Sequence, residues 1–168
     1  LRRLFISFDD VDWSRTVAYS VGNVGPIFIN LAGREPQGIV PPDRYEETLE
    51  MVAERLRRIM DPHTGRPLVT DIVFGKDIYD GPYAGNGPDI SIFMRDFRVC
   101  AYGNTEFASH RWLTPMFGHT GWHRLDGILA AAGPGIRQGE NAAGARIWDV
   151  YPTILALMGV PIPAGLDG

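Results

Sequence analysis

The sequence predicts an α/β layered domain, and three observations carry that expectation. Short apolar runs bounded by Gly, Pro and Asn clusters read as strands. One longer segment, residues 43–60, repeats apolar side chains at three- and four-residue spacing, as an amphipathic helix does. Near the end, residues 127–132 form a continuous small and apolar run, the pattern of a strand buried on both faces of a parallel sheet. The chain has 168 residues, 45% apolar and 21% charged. That is ample for one domain with its own core and ordinary for a globular protein.

The elements follow in order. Leu4-Phe5-Ile6-Ser7-Phe8 is apolar and leads into an acidic turn, Asp9-Asp10-Val11-Asp12. Residues 16–21 and 27–31 are candidate strands, separated by Gly22-Asn23-Val24-Gly25-Pro26, which is rich in turn formers. Residues 32–42 hold glycines and three prolines and read as loop. In the helix that follows, Tyr45, Leu49, Val52, Leu56 and Ile59 share a face. Asp43 is placed to cap it with Glu46 in a capping box, Glu54 precedes Arg58 by one turn, and Asp61-Pro62 ends it. Residues 68–74 and 89–94 read as strands, with a short turn or helical piece at 76–79 and Gly-Pro loops between. Residues 99–102 form another short strand. Residues 103–124 are rich in Gly, His, Trp and Thr without periodicity, and long loops of this kind tend to be functional or disordered. A last helix spans 150–158, capped by Asp149, with Pro152 in its first turn and Gly159 at its end.

Composition excludes several functions. The net charge is -4 with both signs mixed along the chain, so no basic stripe serves a nucleic-acid polymer. A nucleotide-sized molecule stays admissible. No apolar run is long enough to span a bilayer, no signal-peptide pattern opens the chain, and Leu1 reads as mid-sequence. Cys100 is the only cysteine, which rules out an intrachain disulfide and a thiolate zinc cluster, and its setting reads as a packed thiol. There is no Gly-x-Ser-x-Gly elbow and no Walker loop. Asp9, Asp10 and Asp12 resemble half a calcium loop, but no Glu closes the coordination.

The chemistry concentrates in Gly118-His119-Thr120-Gly121-Trp122-His123-Arg124-Leu125-Asp126. Two imidazoles four residues apart lie in a loop that feeds the expected buried strand, where a ring nitrogen can reach a zinc ion. Asp126 or a backbone carbonyl could fix the imidazole tautomer from behind, and the Arg124 guanidinium suits phosphate oxygens. Two histidines do not close a zinc site, since catalytic zinc normally takes three protein ligands. A surface or structural role stays open for both. His63 sits in a plain turn and reads as solvent-exposed, and His110 remains undecided.

Several phrases resemble the C-terminal half of the type I phosphodiesterase/nucleotide pyrophosphatase group of the alkaline phosphatase superfamily, and more closely its predicted phosphohydrolase/phosphomutase branch. They are Val11-Asp12-Trp13-Ser14-Arg15-Thr16 with Ala18-Tyr19, residues 27–31 leading into Gly33-Arg34-Glu35-Pro36-Gln37-Gly38-Ile39-Val40, Asp61-Pro62 with Thr64-Gly65, Ile78-Tyr79 with Gly81-Pro82-Tyr83, and Pro88-Asp89-Ile90. The sharpest block is residues 119–136 with Asp149-Val150-Tyr151-Pro152-Thr153-Ile154-Leu155 and Met158-Gly159-Val160-Pro161.

The resemblance implies the C-terminal part of an alkaline-phosphatase-like α/β/α sandwich with a mainly parallel sheet, residues 1–168 being one piece of a single domain. It also implies a metal-dependent phosphoric ester hydrolase with two metal ions, commonly zinc, and a Thr or Ser nucleophile in the N-terminal half. The late metal-binding histidine of that group falls on His123, with His119 in reserve, Arg124 as a substrate contact and Asp126 behind the metal ligand. The expected partners are a phosphate ester or nucleotide-like small molecule and the missing N-terminal half, whose nucleophile and Asp-His pair this sequence lacks. This piece alone is expected to be inactive and to expose apolar surface. A phosphomutase, a sulfatase-like relative and a non-catalytic cap or interaction module are the competing expectations.

Overall fold

Four of the apolar runs pair into one sheet: β1 (Ala18–Ser20), β2 (Pro26–Ile29), β3 (Val69–Phe74) and β4 (Ile90–Met94). Their spatial order is β1-β2-β4-β3 and every pairing is antiparallel. This computed structural model describes residues 8–22, 24–101, 113–115 and 121–166. It divides into two units, the first ending at Arg124 and the second beginning at Leu125.

The mainly parallel α/β/α sandwich expected from the sequence is therefore corrected to a small antiparallel sheet with few helices. The run that argued for a parallel sheet, residues 127–132, joins no strand and is exposed throughout, with Ile128 100% accessible. Gly and Ala have low strand propensity, and a strand without a neighbour leaves its backbone groups unpaired. The short strand expected at 99–102 is irregular over residues 99–101.

The sheet is built as antiparallel sheets usually are, with one face covered. Along β2, Ile27 and Ile29 alternate with half-buried neighbours. They meet Ile90, Val40, and Leu49 and Ala53 of α1 (Tyr45–Arg57) in one core. Leu49 and Ala53 lie one helical turn apart, so a single stripe of α1 supplies both. Burying a side chain such as Leu49 stabilises by about 1.5–3 kcal/mol.

The expected cap by Asp43 does not form. Pro41 is extended, and Pro42 already opens a tight turn (Pro42–Arg44) that runs into α1. Asp43 is thus inside the turn, and Arg44 occupies the cap position without a side-chain bond. The Glu54 to Arg58 pair is present at 3.5 Å, joined by Arg57 at 3.1 Å. These are exposed pairs of small energetic weight.

Two glycines are required by close approach. A Cβ on Gly38 would lie 2.1 Å from the Leu31 carbonyl oxygen, where residue 31 bridges to Val40. On Gly75, which opens the short helix α2 (Gly75–Ile78), a Cβ would lie 2.2 Å from the Pro88 oxygen.

The second unit holds a tight turn, Ile147–Asp149, and the helix α3 (Val150–Leu157). Asp149 acts one step earlier than expected, its carboxylate accepting from the Arg146 amide at 2.7 Å. Gly159, at φ 69°, ends α3 as expected, and the Val160 amide closes the turn onto the Leu155 carbonyl at 2.9 Å. No described residue from Leu125 onward is buried.

Candidate functional site

His123 is exposed, its ring standing edge-on to Trp122 at 5.3 Å between centroids. Arg124 ends the first unit, and Asp126 lies exposed in a bend near the start of the second. His119 and His110 lie outside the described residues. Among the described residues no three His, Cys, Asp or Glu side chains converge as a metal-ligand set. One exposed imidazole is a single ligand where catalytic zinc takes three, so the described residues do not by themselves fit a metal ion.

The two other sequence candidates resolve more simply. The His63 side chain is exposed on a turn whose backbone is held by Asp61. Cys100 is half-buried, and burial pushes its thiol pKa up, away from the reactive thiolate.

The densest electrostatic feature of the first unit was not singled out as a site by residue chemistry. The Asp89 carboxylate is 5% exposed and accepts four bonds. Arg34 gives two through Nη1 at 2.8 Å and Nη2 at 2.6 Å, the Tyr45 hydroxyl gives one at 2.7 Å, and the Ile29 amide gives one at 2.6 Å. A carboxylate offers about four lone-pair sites, so this one has no capacity left for a substrate or metal. It is a lock joining the start of β4, the end of β2, the loop after β2, and α1. Burial pushes the Asp89 carboxyl up. The bonds from Arg34, Tyr45 and the Ile29 amide outweigh that and hold it below the usual carboxylate range. Hydrogen bonding to Asp89 raises Arg34 above its ordinary value, and burial followed by the same carboxylate raises Tyr45.

Arg34 also donates from Nε to Glu35 at 3.0 Å and from Nη2 to the Ile29 carbonyl at 2.6 Å. Tyr19 is pushed up to about 12, first by burial and then by its bond to Glu35. The signal that could have found this lock is an aspartate at the head of an apolar strand, in Pro88-Asp89-Ile90. A charge there needs a partner, and bidentate Arg is the usual one.

A second buried polar group works alongside. Asn30 is fully buried, and its Nδ2 reaches the carbonyls of Trp13 at 3.2 Å, Thr16 at 2.8 Å and Gln37 at 3.1 Å. It fastens the segment before β1 to the loop after β2. Its Oδ1 has no partner among the described residues. Asn30 lines a cavity of about 260 Å³ with Phe8, Trp13 and Tyr19, whose rings meet in series, and with Glu35 and Gln37.

The family models, the curated proteins and the solved structures contain no match to this chain. Among the described residues, no helix is long and apolar enough to cross a membrane.

Proposed function

We propose that this chain is part of a metal-dependent phosphoric ester hydrolase, of phosphodiesterase or nucleotide pyrophosphatase type, and supplies His123 as one metal ligand. The block from residue 119 to 136, followed by 149–161, carries the reading, because those residues resemble the metal-ligand segment and last helix of that superfamily.

The exposure of the second unit supports it. Leu125 is 80% exposed and Ile147 82%, and no described residue there is buried. Apolar side chains left open along a whole segment are what further protein would cover. In this reading that protein is the nucleophile-bearing half of the same enzyme, which also brings the remaining metal ligands. Zinc, or another divalent ion, would polarise the phosphoryl oxygens once those ligands are assembled. His123 would be one ligand of the ion, and Arg124 would face the phosphate.

The test compares hydrolysis of bis(p-nitrophenyl) phosphate by three proteins in the presence of zinc: the 168-residue chain, a longer chain with the nucleophile-bearing half, and that longer chain with His123→Ala. The expected result is activity in the second alone, with His123→Ala lowering it by about 10- to 100-fold or more. Turnover by the 168-residue chain, or an undiminished His123→Ala variant, overturns the proposal.

A second reading is favoured by one observation. The first unit has its own core and a saturated ionic lock, so it is built to fold as a module. In that reading it serves as a substrate-facing cap or interaction module without catalytic duty. A longer chain that lacks both nucleophile and phosphoesterase activity supports that reading.

A further inference from the structure

An arginine-lined groove lies at one end of the β3–β4 pair. Arg66, Pro67, Val69, Thr70, Arg95 and Arg98 line about 530 Å³, a size in the range of small-molecule sites. None of these six side chains is acidic. Arg66 and Arg98 are exposed, and neither side chain has a hydrogen-bond or ion-pair partner among the described residues. Arg95 is different. Its Nη1 donates to the buried Asp61 carboxylate at 2.7 Å, and the same carboxylate accepts from the His63 and Thr64 amides at 2.8 and 3.3 Å. One guanidinium is thus fixed on a rigid anchor while two remain to reach a ligand.

The backbone is irregular here on both strands. The pairing of β3 with β4 slips between Val69 and Asp71, which places a bulge at Thr70. Such bulges re-aim side chains and cluster beside functional sites. Directly opposite, β4 ends in the turn Arg95–Phe97, where Arg95 has φ 45° and Phe97 φ 61°. These are the only non-glycine residues with positive φ among those described, and both lie in this turn. Held backbone strain of this kind gathers at ligand sites. Two irregularities thus converge on one end of a strand pair, beside two cations that have no partner among the described residues.

We propose that this groove binds a small organic phosphate bearing two or more negative charges, through Arg66 and Arg98 with Arg95 as the fixed cation. Guanidinium groups fork onto phosphate oxygens, which sets the anion class. Pro67 and Val69 supply apolar wall, so the ligand carries an organic part beside its phosphates. The site is independent of His123 and needs no metal ion.

Titration calorimetry on the 168-residue protein, with chelator present, tests this using ADP, pyrophosphate and adenosine. ADP and pyrophosphate bind and adenosine does not, and binding weakens with added salt. Arg66→Glu with Arg98→Glu weakens ADP by about tenfold or more, the loss expected when charge-assisted bonds are removed. Arg66→Gln with Arg98→Gln is the milder pair, and unchanged melting temperatures show that both variants fold. His123→Ala binds ADP as the native protein does.

Vesicles carrying phosphatidylinositol phosphates form a second arm. Binding there that both variants lose supports the groove and assigns the phosphate to a lipid headgroup. Absence of binding to ADP, pyrophosphate and the vesicles overturns the proposal, as does undiminished binding in the charge-reversed variant. Loss of ADP binding in His123→Ala also overturns it, by placing the anion at His123. Phosphoesterase activity of the longer chain plays no part in this readout, so the two proposals fail separately.

Discussion

The first unit of this chain buries a core of apolar side chains, and the described residues of the second bury none. Ile29, Leu49 and Ile90 are fully buried between β2, β4 and α1. Ile128 is 100% exposed, and the helix α3 leaves Ile154 and Leu157 open to water. Isoleucine and leucine occur in both places, so side-chain type alone does not decide burial. What differs is closure. The sheet finds a helix to cover one face and a lock to bind the strand ends, whereas residues 125–166 hold one short helix and bury no side chain fully. A segment in that state owes little of its structure to burial.

The largest expected effects sharpen this contrast. Asp89→Ala leaves the Arg34 guanidinium without its buried partner and should cost about 3–5 kcal/mol, read from urea denaturation followed by Trp fluorescence. Ile29→Ala, in the same core, should cost about 2–5 kcal/mol. An unchanged midpoint in either variant would remove the core and lock from the account.

Gly38→Ala comes next, at about 1–3 kcal/mol, because the new methyl meets the Leu31 carbonyl rather than a movable side chain.

The pH dependence is smaller and has a definite sign. The Asp89 carboxyl titrates lower in the folded chain than in the unfolded one. Its contribution is therefore present in full above the unfolded value near about pH 4, and is lost as pH falls through the native value. Urea midpoints measured from about pH 7 down to about pH 3 should fall more steeply for the native protein than for Asp89→Asn. Parallel curves would show that the carboxylate is not the titrating element.

The smallest effect lies in the second unit. Ile128→Ser should shift the midpoint by no more than about 0.5 kcal/mol, since an exposed side chain has no burial to lose. It should also reduce binding of an apolar dye. A core-sized loss there would erase the distinction between the units.

Local patterns were legible in the sequence, and long-range partners were not. The strand runs around Ile27 and Ile90 and the apolar stripe of α1 are encoded by period, and each formed within a few residues of its expected span. Period says nothing of which strand lies beside which, so residues 127–132 argued for a parallel sheet that does not form. The Asp43 cap failed because Pro41-Pro42 started the turn one residue early. Arg34 and Asp89, 55 positions apart, meet only once β2, β4 and α1 have assembled, and no spacing rule connects them. Of the metal-site candidates, His123 lies in the described structure as a single exposed ring and His119 lies outside it.

Amide hydrogen exchange, followed by mass spectrometry, tests the division of the chain most directly. In the 168-residue protein, peptides from β2 and β4 should be strongly protected while peptides from residues 125–166 exchange close to the rate of unprotected chain. If the proposed function holds, adding the nucleophile-bearing half should protect the same late peptides. Strong protection of residues 125–166 in the 168-residue protein alone would contradict the account.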